Sequence, residues 1–140
     1  MGEKVMAWVD LYSSTILAVG LMGLTLLLQM IVVGVAGMKA KHRPGYPIEP
    51  DHQSFLFRAT RAQANSNESI AIFILLVLFG MLSSANPSYL GNLALLTVVG
   101  RIAHMLFYYI GVGLARSMAF AVTLFGLLGM ALLSMSAWLT

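Results

Sequence analysis

Arg58, Arg61, Asn65 and Glu68 fall at i, i+3, i+7 and i+10 in the segment RATRAQANSNES. At roughly 100° per residue they lie within an arc of about 80°, one stripe along a helix. Arg101, His104 and Tyr108 fall at i, i+3 and i+7, again one face, and Thr97 extends it by a turn. Arg116 and Ser117 follow. Guanidinium groups bind carboxylates bidentately, and hydroxyls and imidazoles add neutral donors. Such stripes, facing each other, make a receptor for an anion that carries carboxylates.

The rest of the chain is nearly stripped of charge. Of 140 residues, 59% are hydrophobic and 9% charged, against roughly 25% charged in a soluble domain. That excludes a soluble globular domain, a disordered chain and a nucleic-acid-binding protein. A net charge of +3 is too small to demand a polyanion. The last eighty positions hold only four charged residues, Arg61, Glu68, Arg101 and Arg116. Cysteine is absent, so the chain has no disulfide, no thiolate metal site and no thiol nucleophile of its own. His42, His52 and His104 are scattered and make no metal site.

These residues must be positioned by membrane helices. A span needs about 20 apolar residues. Leu11–Met38 is free of charge and long enough for one tilted span. It is too long for a signal peptide and lacks a cleavage site. Ser69–Gly100 is also free of charge but too long for one span, and Asn86-Pro87 marks a turn within it. The expectation is an all-α, four-helix membrane bundle forming one domain over residues 1–140, with helices at about 11–38, 54–84, 88–111 and 115–139. The one long connection, from Lys39 to about Gln53, holds Pro44, Pro47, Pro50 and Gly45 and reads as an irregular loop. Gly20, Gly23, Gly34 and Gly37 in the first span, and Gly126 and Gly129 in the last, suit close helix packing. Trp8 and Trp138 fit an interfacial belt.

Lys39, Lys41, Arg43, Arg58, Arg61 and Arg116 cluster at one set of helix ends, while the other set has only Lys4, beside Glu3 and Asp10. The positive-inside rule then places the basic connections in the cytoplasm and both termini outside. Glu68 and Arg101 each lie about 16 Å into the membrane from that basic side at ~1.5 Å per residue. A carboxylate and a guanidinium at matched depth are expected to pair, with Asn65 adding hydrogen bonds. The pair reads first as structural, and a catalytic reading stays open. Arg58 reads equally as a headgroup anchor, and His104 as a hydrogen-bonded core histidine. Tyr108 lies on the stripe and Tyr109 does not.

Arg61-Ala62-Gln63-Ala64-Asn65 with Glu68, followed by GRIAHMLFYYIGVGLARS, resembles the signatures of the MAPEG family, the membrane-associated proteins in eicosanoid and glutathione metabolism. The form RAQANSNE is most similar to microsomal glutathione transferase- and leukotriene C4 synthase-type members. Gln63 and Ala64 stand where prostaglandin E synthase-type members carry His and Arg, so that specificity is not implied. The resemblance implies a homotrimer embedded in membrane lipids, and a bacterial cytoplasmic membrane is the expected location. Glutathione would lie between subunits near the cytoplasmic side, and a lipophilic electrophile or lipid peroxide would reach it from the bilayer. It implies glutathione contacts at Arg58, Arg61, Asn65, Glu68, Arg101 and His104, and catalytic roles for Arg116, Ser117 and Tyr108. Lys39 or Lys41 takes the basic position that ends the first span. A guanidinium and a hydroxyl donor beside a thiol with pKa about 8.5 would favour thiolate. The family also includes a non-enzymatic lipid-binding member, so a scaffold trimer stays open. A small transporter with Glu68 as a proton or cation site is opposed by the excess of arginine.

Overall fold

The computed structural model describes residues 2–140, and the side chains of all of these except residues 3–5. Glu3 and Lys4, which entered the orientation argument, therefore lie outside the described side chains. The described chain is helical: α1 (Gly2–Leu11), α2 (Ser13–Lys39), α3 (Phe55–Leu82), α4 (Pro87–Ile110) and α5 (Gly113–Leu139). The last four are each long and apolar enough to cross a membrane. At ~1.5 Å per residue, the 27 residues of α2 span about 40 Å, more than a bilayer's hydrocarbon core. The architecture is a four-helix membrane bundle.

Local signals set the boundaries. The Ser54 hydroxyl accepts from the Phe57 amide and opens α3. Asn86 Oδ1 accepts from the amides of Ser88 and Tyr89, and Pro87 occupies the first turn of α4, where its missing N–H costs nothing. Gly111 closes α4 at φ +78°, a left-handed conformation natural to glycine. Helix α5 then begins at Gly113, two residues earlier than expected, so Arg116 and Ser117 lie in its first turns.

One element was not anticipated. The chain breaks at Tyr12, and residues 2–11 form the separate helix α1. Its charged residues Glu3, Lys4 and Asp10 hid it from a search for apolar runs. Tyr12 is buried and its hydroxyl donates to the Ala85 carbonyl at 3.1 Å, which ties the break to the α3–α4 turn. The Trp8 ring lies 5.3 Å from that of Tyr12. Trp138 pairs with Phe79 near the end of α3, so both tryptophans sit at one end of the bundle. The basic connections gather at the opposite end.

The core runs along the bundle axis through Met22, Phe73, Val77, Leu90, Val98 and Met130. Helices α4 and α5 pack most intimately because glycine removes side chains between them. A Cβ on Gly100 would meet the Thr123 amide nitrogen at 2.8 Å, and one on Gly126 would meet Thr97 and the Leu93 carbonyl. Gly129 likewise lies against Leu93. The glycines of α2 differ from expectation. A Cβ on Gly20, Gly23, Gly34 or Gly37 would meet nothing within 4 Å, so these residues do not pack helices within the subunit. Gly20 and Gly23 face away from the bundle, where lipid or another chain would meet them, and Gly34 and Gly37 line a cavity with Pro44, Ile48 and Leu56.

Candidate functional site

Arg101 is the largest fully buried side chain, 2% exposed in the middle of α4. A guanidinium there must be satisfied from within the protein. Helix α3 runs antiparallel to α4 and brings Asn65 to the same level. Arg101 Nη1 donates to Asn65 Oδ1 at 2.6 Å and to the Asn65 carbonyl at 3.2 Å. The expected ion pair with Glu68 is thus replaced by a charge-assisted bond to a neutral amide. Antiparallel register explains the substitution: Asn65 is level with Arg101, and Glu68 lies almost one turn beyond. Glu68 is exposed, though it lines the same cavity as Arg101.

That cavity, about 200 Å³, is bounded by Asn65, Glu68, Ser69, Ile72, Arg101 and Phe120, with Leu124 and Leu127 below. A second, more open cleft of about 270 Å³ lies toward the basic end, lined by Asn65, His104, Tyr108, Arg116, Ser117 and Phe120. Asn65 and Phe120 border both, so the two form one groove between α3, α4 and α5. Two guanidinium groups face one carboxylate along it, which favours an anionic occupant.

In the outer cleft the Arg116 guanidinium carbon lies 4.4 Å from the centroid of the Tyr108 ring, a cation–π contact that holds a flexible side chain over the cleft. His104 packs edge-on against Tyr108 at 5.0 Å and lies tilted against Phe120 at 6.2 Å, and among the described residues its buried Nδ1 has no protein partner. The Ser117 hydroxyl donates to the Gly113 carbonyl at 3.3 Å. It is exposed and its oxygen retains lone pairs on the cleft side.

Seven of the nine residues singled out from sequence line this groove: Asn65, Glu68, Arg101, His104, Tyr108, Arg116 and Ser117. Arg58 and Arg61 do not. Arg58 Nη1 donates to the carbonyls of His52 and Gln53 at 2.7 and 2.8 Å, and its Nε and Nη2 share the Tyr109 carbonyl at 3.4 and 3.3 Å. It binds the 40–54 loop to the carbonyl-rich end of α4, which attracts positive charge. Arg61 is exposed and lines neither cavity.

Phe120 was missed. It borders both cavities, and the Arg101 guanidinium carbon lies 5.7 Å from its ring centroid. The available signal was its position four residues after Arg116, on the same face of α5.

Among models of known families, that of the MAPEG family matches residues 15–136. Comparisons with curated proteins and with solved structures return no match.

Proposed function

The chain belongs to the MAPEG family, and on that premise we propose that it is a membrane-bound, glutathione-dependent transferase or peroxidase acting on lipophilic electrophiles or lipid peroxides. The observation that carries this reading is the groove in which Arg116 lies over Tyr108 while Arg101 is held by Asn65 one cavity deeper. Glutathione is an anion with two carboxylates and one ammonium group. The groove offers Arg101 for one carboxylate, Glu68 for the ammonium and Arg116 for the thiolate, and Arg61 toward the mouth remains for the second carboxylate. When bound, glutathione supplies the thiol that the cysteine-free chain lacks.

The protein's part is to bind and to polarise. Arg101 and the Asn65 amide nitrogen donate to a ligand carboxylate at the buried end, Glu68 accepts from an ammonium group, and His104 adds a neutral contact. Arg116 at the open end stabilises the thiolate, with Tyr108 or Ser117 donating a hydrogen bond to it. Arg61 extends the α3 stripe toward the mouth, where its exposed side chain can meet a second carboxylate. Arg58 fixes the loop and α4 that frame the mouth.

The same reading supports a homotrimer. Arg61 and Glu68 are exposed on a membrane helix. A charge left facing lipid at the helix centre, where Glu68 lies, costs about 2.5–3.5 kcal/mol or more. A neighbouring copy covering this face would remove that cost and close the groove.

Purified protein in detergent decides the matter, with glutathione binding followed by calorimetry and conjugation by a chromogenic electrophile. Saturable binding with turnover is the expected result. Binding of lipid without glutathione turnover would replace this reading with a non-catalytic scaffold. Failure to bind glutathione at all would overturn it.

A further inference from the structure

Gln29, on α2, takes no part in the groove. It is 0% exposed, and among the described residues neither its amide oxygen nor its amide nitrogen has a protein partner. Hydrocarbon offers none either, so a buried amide in a membrane bundle must be satisfied from inside.

Two registers locate what it faces. Gly91 lies against Ser14 and the backbone nitrogen of Thr15, and α2 and α4 both run from the tryptophan end to the basic end. The same distance further along each helix, Gln29 comes level with Met105, one turn from Arg101. The Asn65–Arg101 bond sets α3 antiparallel to α4 and brings Ser66 to the level of Arg101. Ser66 is 2% exposed and its Oγ has no protein partner; the Nε of Arg101 is in the same condition. Side chains lean toward the N-terminus of their own helix. Gln29 therefore leans toward the Arg101 level, and Ser66, on an antiparallel helix, leans toward Gln29.

We infer that Gln29, Ser66 and Arg101 share a buried hydrated network, through which Gln29 acts as a positioning residue for the Arg101 guanidinium. A bound water accepts the Nε–H of Arg101 and donates to Gln29 Oε1, while Gln29 Nε2 donates to Ser66 Oγ. Arg101 Nε, Gln29 Oε1, Gln29 Nε2 and Ser66 Oγ, all four otherwise unpartnered, then each have a partner. Asn65 holds the guanidinium at Nη1, and the water holds it at Nε. Fixed from two sides, the planar group presents one orientation to the cavity.

The binding readout of this inference rests on the glutathione reading, and its stability readout does not. Gln29→Leu is expected to lower the thermal midpoint of the detergent-purified protein. It is also expected to weaken glutathione binding about tenfold, the worth of a hydrogen bond to a charged group, with kcat unchanged. Gln29→Glu, which keeps an acceptor facing the guanidinium, is expected to restore the affinity. A midpoint at or above wild type in Gln29→Leu overturns the network. A lowered midpoint with unchanged affinity overturns the positioning role. If the wild-type protein binds no glutathione, the functional reading fails and the midpoint alone decides for or against the network. If Gln29→Leu does not fold, Ser66→Ala is measured in its place, with the same expected directions.

Discussion

Arg101 Nη1 stands 2.6 Å from the side-chain oxygen of Asn65, across the interface between α3 and α4. This bond joins the two polar stripes, and it makes a neutral amide rather than Glu68 the partner of the buried cation. Asn65 is thereby a structural residue and a wall of both cavities. Glu68, on the same stripe, is exposed.

Asn65→Ala therefore strips a buried guanidinium of its strongest partner. The expected loss of stability is about 2–3 kcal/mol. Glu68→Gln removes no intramolecular bond, and its stability is expected to stay within about 0.5 kcal/mol of wild type. Thermal unfolding of both variants in the same detergent compares them. Equal destabilisation would mean that Glu68 carries the cation after all.

Arg116→Ala tests the thiolate assignment. A guanidinium beside a thiol lowers its pKa, so removing it lets the value return toward about 8.5. The conjugation rate at neutral pH is expected to fall by about ten- to thirtyfold, since a thiol of pKa about 8.5 is only about 3% thiolate at pH 7. The fall shrinks as pH rises, because hydroxide then supplies the thiolate that Arg116 no longer favours. A rate–pH profile with its limb unmoved would assign Arg116 to binding alone.

The fold was legible because the signals were strong and one-dimensional. Charge-free runs, Asn86-Pro87 and Gly111 mark the spans and turns within a few residues of where they lie. Helix α1 was not legible, because its charges broke the apolar pattern that reveals a span. Stripe membership was readable from period alone, and it brought Asn65, Glu68, Arg101, His104 and Tyr108 to one groove. What period cannot give is register between helices. Only the antiparallel offset of α3 and α4 distinguishes Asn65 from Glu68 as the partner of Arg101. Nor does period show how a side chain is spent. Arg58 lies on the stripe, yet the loop carbonyls of His52 and Gln53 turn it aside.

That diversion has its own consequence. Arg58 makes four contacts to backbone carbonyls, on both the 40–54 loop and the end of α4. Arg58→Ala is expected to free the loop and speed its cleavage by a soluble protease, with sites mapping between Ala40 and Ser54. The unfolding free energy is expected to drop by about 1.5–3 kcal/mol. An unchanged cleavage pattern would show that the loop is held by other means.

Helix packing offers a sharper contrast, because two glycines of similar appearance sit in opposite surroundings. A methyl group on Gly100 would lie 2.8 Å from the Thr123 amide nitrogen and 3.1 Å from the Ala119 carbonyl oxygen. Both are backbone atoms, which cannot swing aside, so α4 and α5 would have to separate. Gly100→Ala is expected to cost about 1–3 kcal/mol through overpacking. It is also expected to disturb the groove, since Arg101 is its immediate neighbour and Phe120 follows Ala119 on α5. Gly20→Ala meets open space and gains helix propensity, so the subunit is expected to be unharmed. Thermal midpoints and glutathione affinity for the two variants, measured together, separate packing within the subunit from contacts outside it. A loss in Gly20→Ala as large as that in Gly100→Ala would show that the open face of α2 is covered by another copy of the chain.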